Sequence, residues 1–166
     1  IGDKYTIYQA MKMGDYRVAF KFNVTISSKP TIPATEMARD TLKLTAPVNS
    51  DYSVVAADLD VAKATTAIGA APALTNLYGI DGNGFIELVA FTADNGFFFN
   101  SSADVCNWGE AGCAIFVSFD QPNSKILVGQ MPDGCTAGSI YYGKLGFINN
   151  GKLYTVVVKF TATAPL

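Results

Sequence analysis

Alternation with a period of two governs this chain. From residue 16 to residue 26, Tyr16, Val18, Phe20, Phe22, Val24 and Ile26 take one parity, and Arg17, Ala19, Lys21, Asn23 and Thr25 take the other. Successive side chains of an extended strand point to opposite faces, so this run makes a strand with one buried face. Near the carboxyl end Tyr154, Val156, Val158 and Phe160 likewise share one face. Helical spacing is almost absent.

Between these ends, β-branched and aromatic residues gather in short runs set off by Gly, Pro, Asn and Asp, which is the pattern of an all-β chain. Strands are expected at Thr41–Thr45, Tyr52–Ala57, Phe97–Asn100, Ala114–Phe119, Lys125–Met131 and Ile140–Phe147. Phe85–Phe91 is apolar on both parities and reads as a central strand. A Pro-marked connector covers Ser27–Arg39, a turn covers Ala46–Asp51, and the Ala- and Thr-rich stretch Ala62–Leu77 reads as a helical turn or a loop. Asn149-Asn150-Gly151 signals a hairpin, because Asn and Gly tolerate the positive φ of tight turns. About eight to ten strands at such spacing predict an immunoglobulin-like or jelly-roll β-sandwich. No internal repeat is read, and no linker is long enough to divide the chain.

A chain of 166 residues suits one domain that buries roughly 70% of its unfolded surface. Only 16% of the residues are charged, below the usual quarter or so, which leaves apolar surface for a partner. The net charge of -2 and scattered Lys and Arg give no field for nucleic acid. No apolar run reaches the ~18 residues of a membrane helix, and an exported form is expected to be the mature one because no signal-peptide pattern stands at the start. Cys106, Cys113 and Cys135 allow at most one bridge; Cys106–Cys113 closes a short glycine-bearing loop, and Cys135 is an alternative partner for either.

Chemistry is narrowed by elimination. The chain has no histidine, which removes the usual nucleophile–base pairs and the commonest metal ligand. The cysteines lack CxxC spacing. Asp81-Gly-Asn-Gly-Phe-Ile-Glu87 resembles the middle of a calcium loop, but Gly79 and Ala90 stand where its first and last carboxylates belong, so a turn is expected instead. Asp58-Leu-Asp60 reads as a solvated strand face or turn. Asn23 and Asn100 begin glycosylation triplets. No catalytic residue, metal site or cofactor is expected, and the chain is not read as an enzyme. Trp108, in the cysteine-bounded loop beside Asn107 and Glu110, either folds over the edge of the core or stacks on a sugar ring.

Before the alternating run stands another, in which Tyr5, Ile7, Met11 and Met13 share a parity broken only by Gln9. Gly14-Asp15 between the two makes either a two-residue hairpin, with glycine first as a type II′ turn prefers, or a hinge. The carboxyl segment Gly151-Lys-Leu-Tyr-Thr-Val-Val-Val-Lys-Phe160 resembles the Gly-x-Tyr-x-x-x-Val-x-Val closing strand of chaperone-usher pilins, with one residue extra. Phe22-Asn-Val-Thr-Ile26, Lys29-Pro30 and Thr41–Thr45 are similar to the first strands of colonisation-factor fimbriae. Amino-terminal donor strands also occur in TasA-like matrix and bundling-pilus subunits. The chain departs from the fimbrial pattern in its three cysteines, its Ala/Thr-rich middle and the Gly151 spacing.

That resemblance implies an extracellular filament subunit polymerising by donor-strand exchange, in adhesion or biofilm formation. Residues 1–13 would be the donor extension, 14–15 the hinge and 16–166 a single sandwich whose groove and closing strand carry Tyr154, Val156, Val158 and Phe160. Its partner would be a second copy of itself, with a periplasmic chaperone assisting and host or surface glycans as further ligands; neither nucleic acid nor membrane is expected. The alternatives are a monomeric carbohydrate-binding sandwich using Trp108, or a viral jelly-roll surface protein.

Overall fold

The computed structural model describes residues 3–25, 36–47, 54–84, 86–87 and 96–164. The chain divides into two compact units, residues 1–30 and 31–166. This corrects the expected boundaries, since the strand beginning at Tyr16 belongs to the first unit.

That unit is a hairpin of β1 (Lys4–Met13) and β2 (Tyr16–Thr25). Gly14-Asp15 is its turn and not a hinge: Gly14 takes φ 59° while Asp15 does not, the type II′ signature, and Met13 pairs directly with Tyr16. The register sets Tyr5 opposite Val24, Ile7 opposite Phe22, Gln9 opposite Phe20 and Met11 opposite Val18. Directly opposed residues share a face, so nine of the ten side chains on that side, Gln9 excepted, are apolar, and they are exposed. The other side carries Lys4, Lys12, Arg17, Lys21 and Asn23.

The second unit is mostly β, and its described residues place ten strands in two five-stranded sheets. Its elements in chain order are β3 (Glu36–Pro47), β4 (Val54–Asp58), α1 (Val61–Ile68), a 3-10 turn (Leu74–Asn76), β5 (Leu77–Ile80), β6 (Ile86–Glu87), β7 (Gly96–Asn100), β8 (Val105–Cys106), β9 (Cys113–Asp120), β10 (Lys125–Gln130), β11 (Ile140–Asn149) and β12 (Lys152–Thr163). One sheet runs β4-β10-β9-β7-β8 and the other β3-β12-β11-β5-β6. Val117, Phe119, Ile126 and Val128 of the first meet Leu145, Phe147, Tyr154 and Val156 of the second in one core. The rings of Phe119 and Phe147 meet edge to face at 5.0 Å, a favoured aromatic geometry. The sandwich is thus the expected fold.

Asn150 and Gly151, both at positive φ, turn β11 into β12. Within the Ala/Thr-rich stretch, the Asp60 carboxylate accepts the Lys63 N–H at 2.9 Å and starts α1, Gly69 at φ 75° ends it, and Ala64 and Ile68 enter the core. Asp58 faces Lys125 at 3.5 Å on an exposed surface, a weak pair. Phe85–Phe91 is not shown to be a central strand: Ile86 and Glu87 pair with β5 at the sheet's edge, and residues 88–91 lie outside the described residues. β3 starts at Glu36, inside the expected connector, most of which is likewise outside them.

Candidate functional site

In the sheet β4-β10-β9-β7-β8, alternate residues face the core, led by Val55, Val128, Val117 and Phe97. Their neighbours form rows on the opposite side. One row runs Val54, Gly129, Phe116, Phe98 and Cys106 across all five strands; the next runs Ala56, Leu127, Ser118 and Gly96. Ser118 supplies the one polar side chain in the two rows. An antiparallel sheet with a solvated side normally alternates apolar and polar residues, so an apolar outer side needs an occupant or a cover.

Part of that cover comes from the loop between β8 and β9. Cys106 and Cys113 are disulfide-bonded, which settles the pairing, and both pack with Phe98, Phe116 and Met131 on this outer side. Inside the loop the Glu110 N–H donates to the Asn107 carbonyl at 3.0 Å, with Gly109 at φ 78°. A positive φ at the third position marks a type II turn, which glycine takes without strain. The Cys113 N–H donates to the Glu110 carbonyl at 3.2 Å in a second turn. The Glu110 carboxylate accepts the Asn107 N–H at 2.9 Å and its side-chain amide at 3.3 Å. Trp108, at the raised position of the first turn, is 68% exposed.

Trp108 and the apolar rows border a half-open pocket of about 540 Å³, lined also by Val54, Phe98, Phe116, Ser118, Leu127 and Gly129. Phe98 and Phe116 stack tilted at 4.6 Å in its wall. Gly129 leaves a hollow in the floor: its backbone is not in the left-handed region, and a Cβ there would make only ordinary contact with Val54 at 3.6 Å. A volume of this size suits a small ligand with an apolar face.

Of the residues singled out by sequence, Trp108, Cys106 and Cys113 come together here. Cys135 does not join them; its buried thiol donates to the Ala114 carbonyl at 3.2 Å, and burial pushes its pKa up to about 11. Asp81 is a backbone acceptor, taking the Val105 N–H at 2.7 Å, and Asp81-Gly82-Asn83-Gly84 is a turn. Tyr5, Ile7, Met11 and Met13 lie in the hairpin, paired within their own chain. Tyr154, Val156, Val158 and Phe160 are wholly buried, and the edge of their strand is filled in parallel by β3, so no groove is open beside them. Among the described residues no group of three metal-ligating side chains gathers, and no helix is long and apolar enough to cross a membrane. The floor residues Phe98, Phe116, Leu127 and Gly129 escaped the sequence reading; their signal was apolar character at both parities of β7 and β9.

Residues 45–153 match the family model described as a domain of unknown function (DUF4859), a span that includes every residue lining the pocket. No curated protein and no solved structure matches the chain.

Proposed function

The chain belongs to the DUF4859 family, and we propose that its sandwich is a non-catalytic carbohydrate-binding module. The observation that carries this reading is an exposed tryptophan held over an apolar hollow on the outer side of a sheet. One face of a pyranose ring is lined by C–H groups, and it stacks on an indole as other apolar surfaces do. Asn107 and Glu110 beside Trp108 offer an amide and a carboxylate to the ring's hydroxyls. The disulfide suits an oxidising compartment, which supports action outside the cell.

Titration with a panel of oligosaccharides, read by tryptophan fluorescence, tests the reading directly because Trp108 is the chain's single tryptophan. At least one glycan class should shift the emission, and Trp108→Ala should lose binding by calorimetry while keeping its melting temperature. Silence across a broad panel of neutral and acidic glycans overturns it.

One observation favours a second reading, an extracellular filament subunit: the apolar side of the β1–β2 hairpin is exposed, with Met13 at 80% and Tyr16 at 78%. The contact between subunits would then be made by the apolar side of the paired hairpin, and not by β1 entering a groove. Negative-stain microscopy should show fibres, and removal of residues 1–13 should abolish them; a truncated chain that still polymerises sinks this reading.

A further inference from the structure

The hairpin of the first unit repeats the hairpin that closes the sandwich. Aligned without a gap, β2 (Tyr16–Thr25) and residues Tyr154–Thr163 of β12 share five of ten residues: Tyr16 with Tyr154, Val18 with Val156, Lys21 with Lys159, Phe22 with Phe160 and Thr25 with Thr163. The correspondence extends to the partner strands. Tyr16 stands opposite Met13 as Tyr154 stands opposite Phe147; Val18 faces Met11 as Val156 faces Leu145; Phe22 faces Ile7 as Phe160 faces Tyr141. Both are antiparallel hairpins closed by two-residue turns with a glycine at positive φ.

The environments are opposite. Tyr154, Val156, Val158 and Phe160 are 0% exposed, whereas Tyr16, Val18, Phe20 and Phe22 are 78%, 52%, 41% and 45% exposed. One pattern is buried against an opposing sheet, and the other has the residues for such burial without it. A two-stranded hairpin is marginal in water unless a further layer covers its apolar side.

We propose that residues 4–25 are the closing hairpin of a second sandwich of this architecture, which precedes the hairpin in the same polypeptide, so that the domain stands in series with a related one. The order of elements supports this source. In the sandwich described here β11 and β12 follow the other described strands, so a sandwich closed by residues 4–25 has its other strands on their amino-terminal side.

The occupant is a related sandwich and not an identical copy, because of two positions. Lys12 stands where Gly146 does, and a Cβ at Gly146 would come within 2.5 Å of Ile80 and 2.7 Å of Leu153. Gln9 pairs with Phe20 where Gly143 pairs with Val158. A Cβ at Gly143 would come within 2.6 Å of Val117 and 3.0 Å of Phe99 on the opposing sheet, nearer than packed side chains approach. An identical sandwich has no room for Gln9, and its slot is already held by β11 and β12.

The test places residues 31–139, a sandwich without its closing hairpin, directly before Lys4 of the chain, so that the complete sandwich follows as an internal reference. Hydrogen exchange is read by mass spectrometry in this fusion with Gln9→Gly and Lys12→Gly, and in the original chain. In the original chain amides of 4–25 should exchange at least a hundredfold faster than those of 140–163; in the fusion they should slow at least tenfold. Replacing Tyr16, Val18, Phe20 and Phe22 by Ser should remove that protection. No protection in the fusion carrying both glycines overturns the proposal. So does protection of 4–25 in the original chain that grows with concentration, since identical copies would then suffice.

Discussion

At the scale of single residues, burial decides which side chains carry stability and which are available for chemistry. Phe147 is fully buried against Phe119, so Phe147→Ala leaves a cavity and should cost about 3 to 5 kcal/mol in chemical denaturation. Trp108, 68% exposed in its loop, should cost less than about 0.5 kcal/mol on truncation. The two aromatics therefore separate folding from binding. Cys135 gives a pH signature. Its folded pKa is raised by burial from 9.0 to about 11, so the folded state holds the proton more tightly than the unfolded one. Its contribution is complete below pH 9.0 and is lost as pH rises through about 11. The stability difference between the wild type and Cys135→Ala should shrink across that window, and a difference that stays flat from pH 8 to pH 11 refutes the assignment.

At the scale of elements, the β8–β9 loop is the part that turns a sheet into a binding surface. The eight residues from Cys106 to Cys113 form two consecutive turns closed by a disulfide. Closure of so short a loop should contribute on the order of 2 to 3 kcal/mol. Cys106→Ser with Cys113→Ser should therefore lower stability by about that amount and weaken glycan binding further, because an untethered Trp108 pays ordering entropy on binding. Filling the hollow is the complementary change: Gly129→Ala, whose Cβ meets only Val54 at ordinary distance, should leave the melting temperature nearly unchanged while weakening binding by calorimetry. These elements were unevenly legible. The strands were readable because alternation is written into consecutive residues, as at Tyr154–Phe160. The outer apolar rows were not, because Phe98, Phe116 and Gly129 become neighbours only through strand register, which local periodicity does not encode. Gly14-Asp15 was readable as a turn or a hinge, and only the partner of Met13 distinguished them.

At the scale of the whole molecule, the near-neutral charge and the apolar site make one expectation. Stacking between uncharged surfaces is little screened by ions, so affinity for a neutral glycan should change less than about twofold between 0.05 and 0.5 M salt, measured by calorimetry. A steep salt dependence would point to an acidic ligand held by the scattered lysines. The parallel pairing of β3 with β12 bears on a different matter, the order in which the molecule comes into being. Thr41 pairs with Val157, 116 positions later by subtraction, and β12 is also the strand that joins β3 to the rest of its sheet. Contacts between residues so far apart close late and slowly. During synthesis at roughly 5 to 20 residues per second, one sheet of the sandwich therefore waits several seconds with an unpaired first strand. The sandwich closes only once β12 has been made, and until then its first strand is an unpaired edge open to any other strand it meets.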